Sequence, residues 1–263
     1  MDGNTPKKAL LAVSFGTSYL DTLDKTIGAI ERELAAAFPE RTVRRAFTSG
    51  MIIRKLARRD GTVVDDVPAA LERLAGEGYT DVTVQPTHLM NGDEYDKLAA
   101  QAAPFAGRFE RLALGAPLLT ALEDYQAVGR ALLEELPAPA GDTALVFMGH
   151  GTGHYANAAY TQLEYLLHDW GRGDILIATV EGYPGFEELE RRLAERPQVR
   201  KLLLMPLMIV AGDHACNDLA GEEEDSWRSM LTAKGYETTC LLRGLGEYPG
   251  IRAVFTAHAA RAR

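Results

Sequence analysis

"KKALLAVSFGTS" at residues 7–18 and "DTALVFMGHGTG" at residues 142–153 decide the fold. Each has a polar start, a short apolar run and a Gly-Thr turn. A helical pattern follows each: Leu23, Ile27, Ile30 and Leu34 keep helical spacing across 21–38, and a second helix is expected over 156–167. A short apolar strand followed by a helix is the opening of a βαβ unit. Working outward, "TVRRAF", "DVTVQPTHL" and "RLALGAPLL" read as further strands of the first half. Helices are expected from "MIIRKLARR" and over 69–76, 95–103 and 123–136. The stretch "LPAPAGDT", with two prolines and a glycine, reads as a linker. The same order then recurs. Strands fall at "ALVFMGHG", "DILIATVEG", "VRKLLLMPLMIV" and "ETTCLLRGLG", with helices over 156–167, 186–194, 225–233 and 250–261. Strands alternating with helices predict right-handed crossovers and parallel sheets, an α/β fold.

The two halves can be laid on each other. Phe15 falls opposite His150, Ser49 of "AFTSG" opposite Glu181 of "ATVEG", and Glu94 of "VQPTHLMNGDE" opposite His214 of "LMPLMIVAGDH". Pro86 matches Pro206, and Gly92-Asp93 matches Gly212-Asp213. The expectation is an internal duplication: two similar Rossmann-like lobes, each with a parallel four-stranded sheet, related by a pseudo-two-fold. The lobes are set at 1–136 and 142–263, joined by a linker at 137–141. The period is too long for a solenoid.

The chain has 263 residues, with 28 basic and 37 acidic side chains and a net charge of −9. That balance argues against nucleic acid or an anionic membrane as a partner. Two cysteines without a CxxC, an apolar run at 9–13 too short for a signal peptide, and no run of about 20 apolar residues predict a cytoplasmic protein. Oligomeric state is not written in the sequence, and a homo-oligomer stays open. One segment departs from the overall charge. Residues 41–59 hold Arg41, Arg44, Arg45, Arg54, Lys55, Arg58 and Arg59 with no acid between them. That density of one sign suits either solvated element ends or a cradle for a polyanion.

Ligands of open parallel α/β sheets bind beyond the carboxyl ends of the strands. His150, Glu181 and His214 follow three successive strands of the second half and reach that edge together. Two imidazoles and a carboxylate suit a borderline divalent ion such as cobalt, zinc, iron or nickel. Each residue alone also fits a turn or a helix cap. The first half has Phe15, Ser49 and Glu94 instead, so the metal is expected in the second half. His88 reads as part of the third strand, packing or lining the cleft. His168 and His258 read as surface residues, and His154 as a turn residue. Neither Gly-Thr turn has a GxGxxG or GxxxxGK[ST] pattern, which argues against nucleotide binding.

The stretches "LLAVSFGTSYLDT", "RAFTSGMIIRKL", "HLMNGDEYDKL", "VFMGHGT", "VEGYP" and "MPLMIVAGDHACNDLAGEEEDSW" resemble the anaerobic cobalt chelatase (sirohydrochlorin cobaltochelatase) family of the class II chelatases. The resemblance spans nearly the whole chain. It implies a bilobal, ferrochelatase-like chelatase fold. It also implies ATP-independent insertion of Co²⁺ into sirohydrochlorin for anaerobic cobalamin biosynthesis. Co²⁺ would be the substrate metal, with no organic cofactor. The family's metal and catalytic positions fall on His150, Glu181 and His214, with His150 as general base, since an imidazole readily exchanges protons near neutral pH. Glu94, Arg54, Lys55, Ser14 and His88 are the substrate-binding candidates, the two basic residues for the carboxylates of the ring. The three ligands do not select the metal. A sirohydrochlorin ferrochelatase, a nickel chelatase, a tetrapyrrole carrier and a zinc hydrolase therefore remain as alternatives.

Overall fold

The structure, a computed structural model, describes residues 6–138 and 140–263; expectations touching residues 1–5 and Pro139 of the linker lie outside them. Strands β1 (Lys8–Ser14), β2 (Thr42–Phe47), β3 (Asp81–Pro86) and β4 (Arg111–Leu114) form a parallel sheet in the order β2-β1-β3-β4. Strands β5 (Thr143–Gly149), β6 (Ile175–Thr179), β7 (Lys201–Pro206) and β8 (Glu237–Cys240) form a second, in the order β6-β5-β7-β8. The apolar runs of the opening stretches become β1 and β5. They lie inside their sheets and are buried almost throughout, as an inner parallel strand covered on both faces must be. Of the edge strands, β2 and β8 are polar, while β6 is buried throughout. β8 alternates between exposed and half-buried residues, and Arg45 of β2 makes two hydrogen bonds to Glu31, at 2.7 and 2.5 Å.

In the first half a helical stretch runs from α1 (Leu20–Leu23) through a π-helical turn, Asp24–Gly28, into α2 (Ala29–Ala37). Ile27, Ile30 and Leu34 form its buried face. Next come α3 (Gly50–Asp60), α4 (Val67–Gly76) and α5 (Asp93–Ala102). Ser49 caps α3 by accepting from the Ile52 N–H, and Asp66 caps α4 by accepting from Ala69 at 2.9 Å. Such caps are each worth about 1 kcal/mol. The remaining helices are α6 (Leu122–Glu135), α7 (Ala158–Asp169), α8 (Phe186–Ala194), α9 (Trp227–Ala233) and α10 (Pro249–Arg261). One core gathers Leu11, Val13, Leu71, Val84 and Leu98. The other gathers Val146, Met148, Leu176, Leu204, Leu219 and Trp227.

The duplication is visible bond by bond. At the end of β1 the Thr48 and Ser49 N–H groups donate to Ser14 and Phe15 C=O, at 2.9 and 3.2 Å. At the end of β5 the Val180 and Glu181 N–H groups donate to Gly149 and His150 C=O, at 3.0 and 2.8 Å. Val13 pairs with Pro86 as Met148 pairs with Pro206. Gly16 and Gly151 follow Phe15 and His150 with φ of +99° and +84°, a left-handed turn that favours glycine in both copies.

Four expectations need correction. The fourth strand of each half ends early, at Leu114 and Cys240, because β4 and β8 pair with only one neighbour. His88 lies two residues past the end of β3 rather than inside it. The division at 137–141 is also displaced. The chain forms one unit from Met1–Thr120 with Ile251–Arg263, and another from Ala121–Gly250. Packing explains the difference. In the second unit, Gly129 of α6 lies so close to the Trp170 ring that a Cβ there would come within 2.9 Å of it. In the first, Arg252 of α10 donates to Glu33 at 2.7 Å, and the Arg263 carbonyl accepts from the Leu114 N–H at 2.8 Å. His258, expected on the surface, is buried and donates from Nδ1 to the Ala116 carbonyl at 3.0 Å. Among the described residues no helix is long and apolar enough to cross a membrane.

Candidate metal centre

His150 follows β5 directly, and Glu181 lies two residues beyond β6. The register of these neighbouring strands sets the two side by side. His150 Nδ1 is 3.9 Å from Glu181 Oε2. His214 stands at the start of a π-helical turn, Ala215–Leu219, that follows β7. Its ring meets that of His150 edge-on, with centroids 4.7 Å apart and planes at 85°. Three side chains from three strand ends are thus adjacent in pairs through His150. All three are partly exposed: 46% for His150, 60% for Glu181 and 37% for His214. Among the described residues no three His, Cys, Asp or Glu side chains close into a ready-made metal cage. The donors form an open edge, the kind of site from which an ion can be handed on.

The ring orientations follow from the nearest acceptors. His150 Nδ1 lies 2.8 Å from the Gly151 carbonyl, which can only accept, so Nδ1 is the donor and in the neutral tautomer Nε2 is the nitrogen with the lone pair. His214 Nδ1 lies 2.5 Å from Asp218 Oδ2. Asn157 ties the His150 and Glu181 loops together. Its Oδ1 accepts from the Thr152 N–H at 3.0 Å, and its Nδ2 donates to the Tyr183 carbonyl at 2.6 Å. Tyr160 sits beneath and accepts from the Gly151 N–H at 3.3 Å; burial pushes its hydroxyl up to about 12. Asn157, Tyr160 and Asp218 were not found from the sequence. Only Asp218 left a signal there, at four residues from His214. His154 caps a short 3₁₀ turn through Nδ1, which accepts from the Ala156 N–H at 3.1 Å, and is not drawn into the cluster.

The corresponding end of the first unit is polar but different. His88 is buried, with Nε2 3.5 Å from Thr48 Oγ1 and Nδ1 unpartnered among the described residues. Burial lowers it from 6.5 to about 4; Glu94 opposes this shift and Lys97 reinforces it. Glu94, in the first turn of α5, is 3.7 Å from Lys97 and has one buried oxygen, Oε2, without a partner among the described residues. Ser14 is buried and its hydroxyl is engaged with Thr87 Oγ1 at 2.7 Å.

The basic segment divides in two. Arg41 makes two 3.0 Å hydrogen bonds to Asp81, Arg44 is 3.5 Å from Glu77, Arg45 holds Glu31, and Arg59 pairs with Asp60. Arg54 and Lys55 make no ion pair among the described residues. With Met51, Arg58 and Arg59 they line an open depression on α3.

A family model described as cobalt chelatase (CbiK) matches residues 8–263. The chain belongs to the cobalt chelatase family. It is 48% identical over 252 residues to the sirohydrochlorin cobaltochelatase of Salmonella typhimurium, covering 96% of this chain and 95% of the relative. To the sirohydrochlorin cobaltochelatase CbiKC of Nitratidesulfovibrio vulgaris it is 36% identical over 257 residues, covering 96% and 89%. Among solved structures it is similar to SirB from Bacillus subtilis with Fe³⁺, with a TM-score of 0.65, 14% identity and 97% and 95% coverage. A second SirB structure, in complex with cobalt, gives a TM-score of 0.62 at 15% identity, covering 97% and 94%. At such identity the likeness concerns the fold, and the expected chelatase fold holds.

Proposed function

We propose that the chain is a sirohydrochlorin cobaltochelatase that inserts Co²⁺ into sirohydrochlorin, with His150, Glu181 and His214 as its metal-handling residues. The observation that carries this is the adjacency of those three side chains at one sheet edge, in a chain 48% identical to a sirohydrochlorin cobaltochelatase over nearly its full length. Insertion exchanges two ring N–H protons for one Co²⁺, an exchange that needs no nucleotide. His214 and Glu181 hold the ion loosely at the open edge. His150 Nε2 accepts one ring proton as the ion passes into the ring, the second leaves by way of the Glu181 carboxylate once the ion has left it, and both are released to water; Glu181, 3.9 Å from the same imidazole, steadies the imidazolium that forms. Arg54 and Lys55 receive the carboxylates of the ring, since among the described residues no acid pairs with them. Free Cys216 and Cys240 and the net charge of −9 fit a cytoplasmic enzyme.

The test is direct. Purified protein is mixed with sirohydrochlorin and Co²⁺, Fe²⁺, Ni²⁺ or Zn²⁺, and the ring absorbance is followed. Acceleration over the metal-only control is expected, with Co²⁺ fastest. No acceleration with any of the four ions would sink the chelatase reading, and a faster reaction with Fe²⁺ would point to sirohaem.

A further inference from the structure

Asp218 is four residues after His214, and its Oδ2 is 2.5 Å from His214 Nδ1. The turn that brings them together is π-helical: the Ala220 N–H bonds back five residues, to the Ala215 carbonyl, at 3.2 Å. Comparison of the two units explains why. After the matched Gly-Asp pairs, "EYDKLAA" (94–100) corresponds to "HACNDLAG" (214–221), and Leu98 and Leu219 are both fully buried members of their cores. Four steps separate Glu94 from Leu98, but five separate His214 from Leu219. The second unit therefore has one extra residue. A single extra residue in a helix is absorbed as a π turn, which keeps His214 at the sheet edge and Leu219 in the core.

The residue before each core leucine is the partner of the residue at the sheet edge. Lys97 stands 3.7 Å from Glu94, and Asp218 stands 2.5 Å from His214. The edge residue and its partner have changed together, from acid with base to imidazole with acid. His150 is oriented differently, by the neutral Gly151 carbonyl. A carboxylate behind an imidazole fixes the ring and strengthens it as a ligand.

We propose, on the reading of His214 as a Co²⁺ ligand, that Asp218 is the positioning residue that holds His214 with Nε2 toward the ion. This divides the labour of the two histidines. His214, backed by a carboxylate, keeps the ion, while His150, backed by a carbonyl, handles the proton.

The test compares Asp218→Ala, Asp218→Asn and His214→Ala with the parent protein. Binding of Co²⁺ alone is followed by calorimetry and by its visible spectrum. KM for Co²⁺ and for sirohydrochlorin are measured separately, with a thermal melt of each variant. Asp218→Ala should weaken Co²⁺ binding by about tenfold or more and raise KM for Co²⁺, leaving KM for sirohydrochlorin in place. Asp218→Asn, which still offers an oxygen to Nδ1–H, should recover part of the loss. Unchanged Co²⁺ affinity in Asp218→Ala, with affinity lost in His214→Ala, would overturn the role of Asp218 alone. So would a parallel loss of sirohydrochlorin binding and melting temperature, which would make Asp218 a brace for the fold. Unchanged affinity in His214→Ala would overturn the metal site itself and this role with it.

Discussion

His88 should make the protein lose stability in mild acid. It is buried beyond β3, and removal from water holds it at about 4 rather than 6.5. Between those values the unfolded chain takes up a proton that the native state refuses. The stability linked to His88 is therefore complete above pH 6.5 and is lost as the pH falls from 6.5 to about 4, below which this residue adds no further slope. That gap, at about 1.4 kcal/mol per pH unit, corresponds to roughly 3 kcal/mol. Glutamine is close to histidine in size, stays neutral and keeps a group able to hydrogen-bond. Urea unfolding of the parent and of His88→Gln at pH 7, 5.5 and 4.5 separates this residue from the many surface carboxylates, which titrate in both proteins. Most of the roughly 3 kcal/mol should appear as a steeper fall in the parent. Two parallel stability curves would refute the reasoning, because they would mean that His88 accepts its proton in the folded state at an ordinary pH.

Two further substitutions probe the site. His150→Phe writes the residue of the first copy, Phe15, into the second; insertion should slow by about 10²- to 10⁴-fold with little change in melting temperature, and a full rate would remove His150 as the base. Arg54→Ala with Lys55→Ala should weaken sirohydrochlorin binding more at low salt than at high salt, whereas an unchanged affinity would return that face of α3 to ordinary solvated surface.

The correspondence of the two halves was legible because backbone spacing records it. The offsets that align Phe15 with His150, Ser49 with Glu181 and Glu94 with His214 are the same ones that the hydrogen bonds after β1 and β5 follow. What stayed hidden depends on contacts across long separations. Arg41 and Arg45 look like free charge in the chain, yet Asp81 and Glu31 hold them from 40 and 14 residues away. His258 looks like a surface residue until the Ala116 carbonyl, 142 residues away, accepts its proton. The extra residue before Leu219 is in the sequence, but its result, a π turn that places Asp218 on His214, requires the backbone to be seen.

The displaced unit boundaries bear on how the chain can be divided. The chain passes from one unit to the other after Thr120 and returns after Gly250. A cut at 137–141, where the repeat in the sequence ends, would strand α6 on the fragment that does not use it and α10 on the fragment that does not need it. Each fragment would expose an uncovered sheet face together with an idle helix. Separately expressed halves should accordingly be insoluble or adhere to one another. A permuted chain that joins residue 263 to residue 6 and opens at 120/121 would keep every helix with its own sheet.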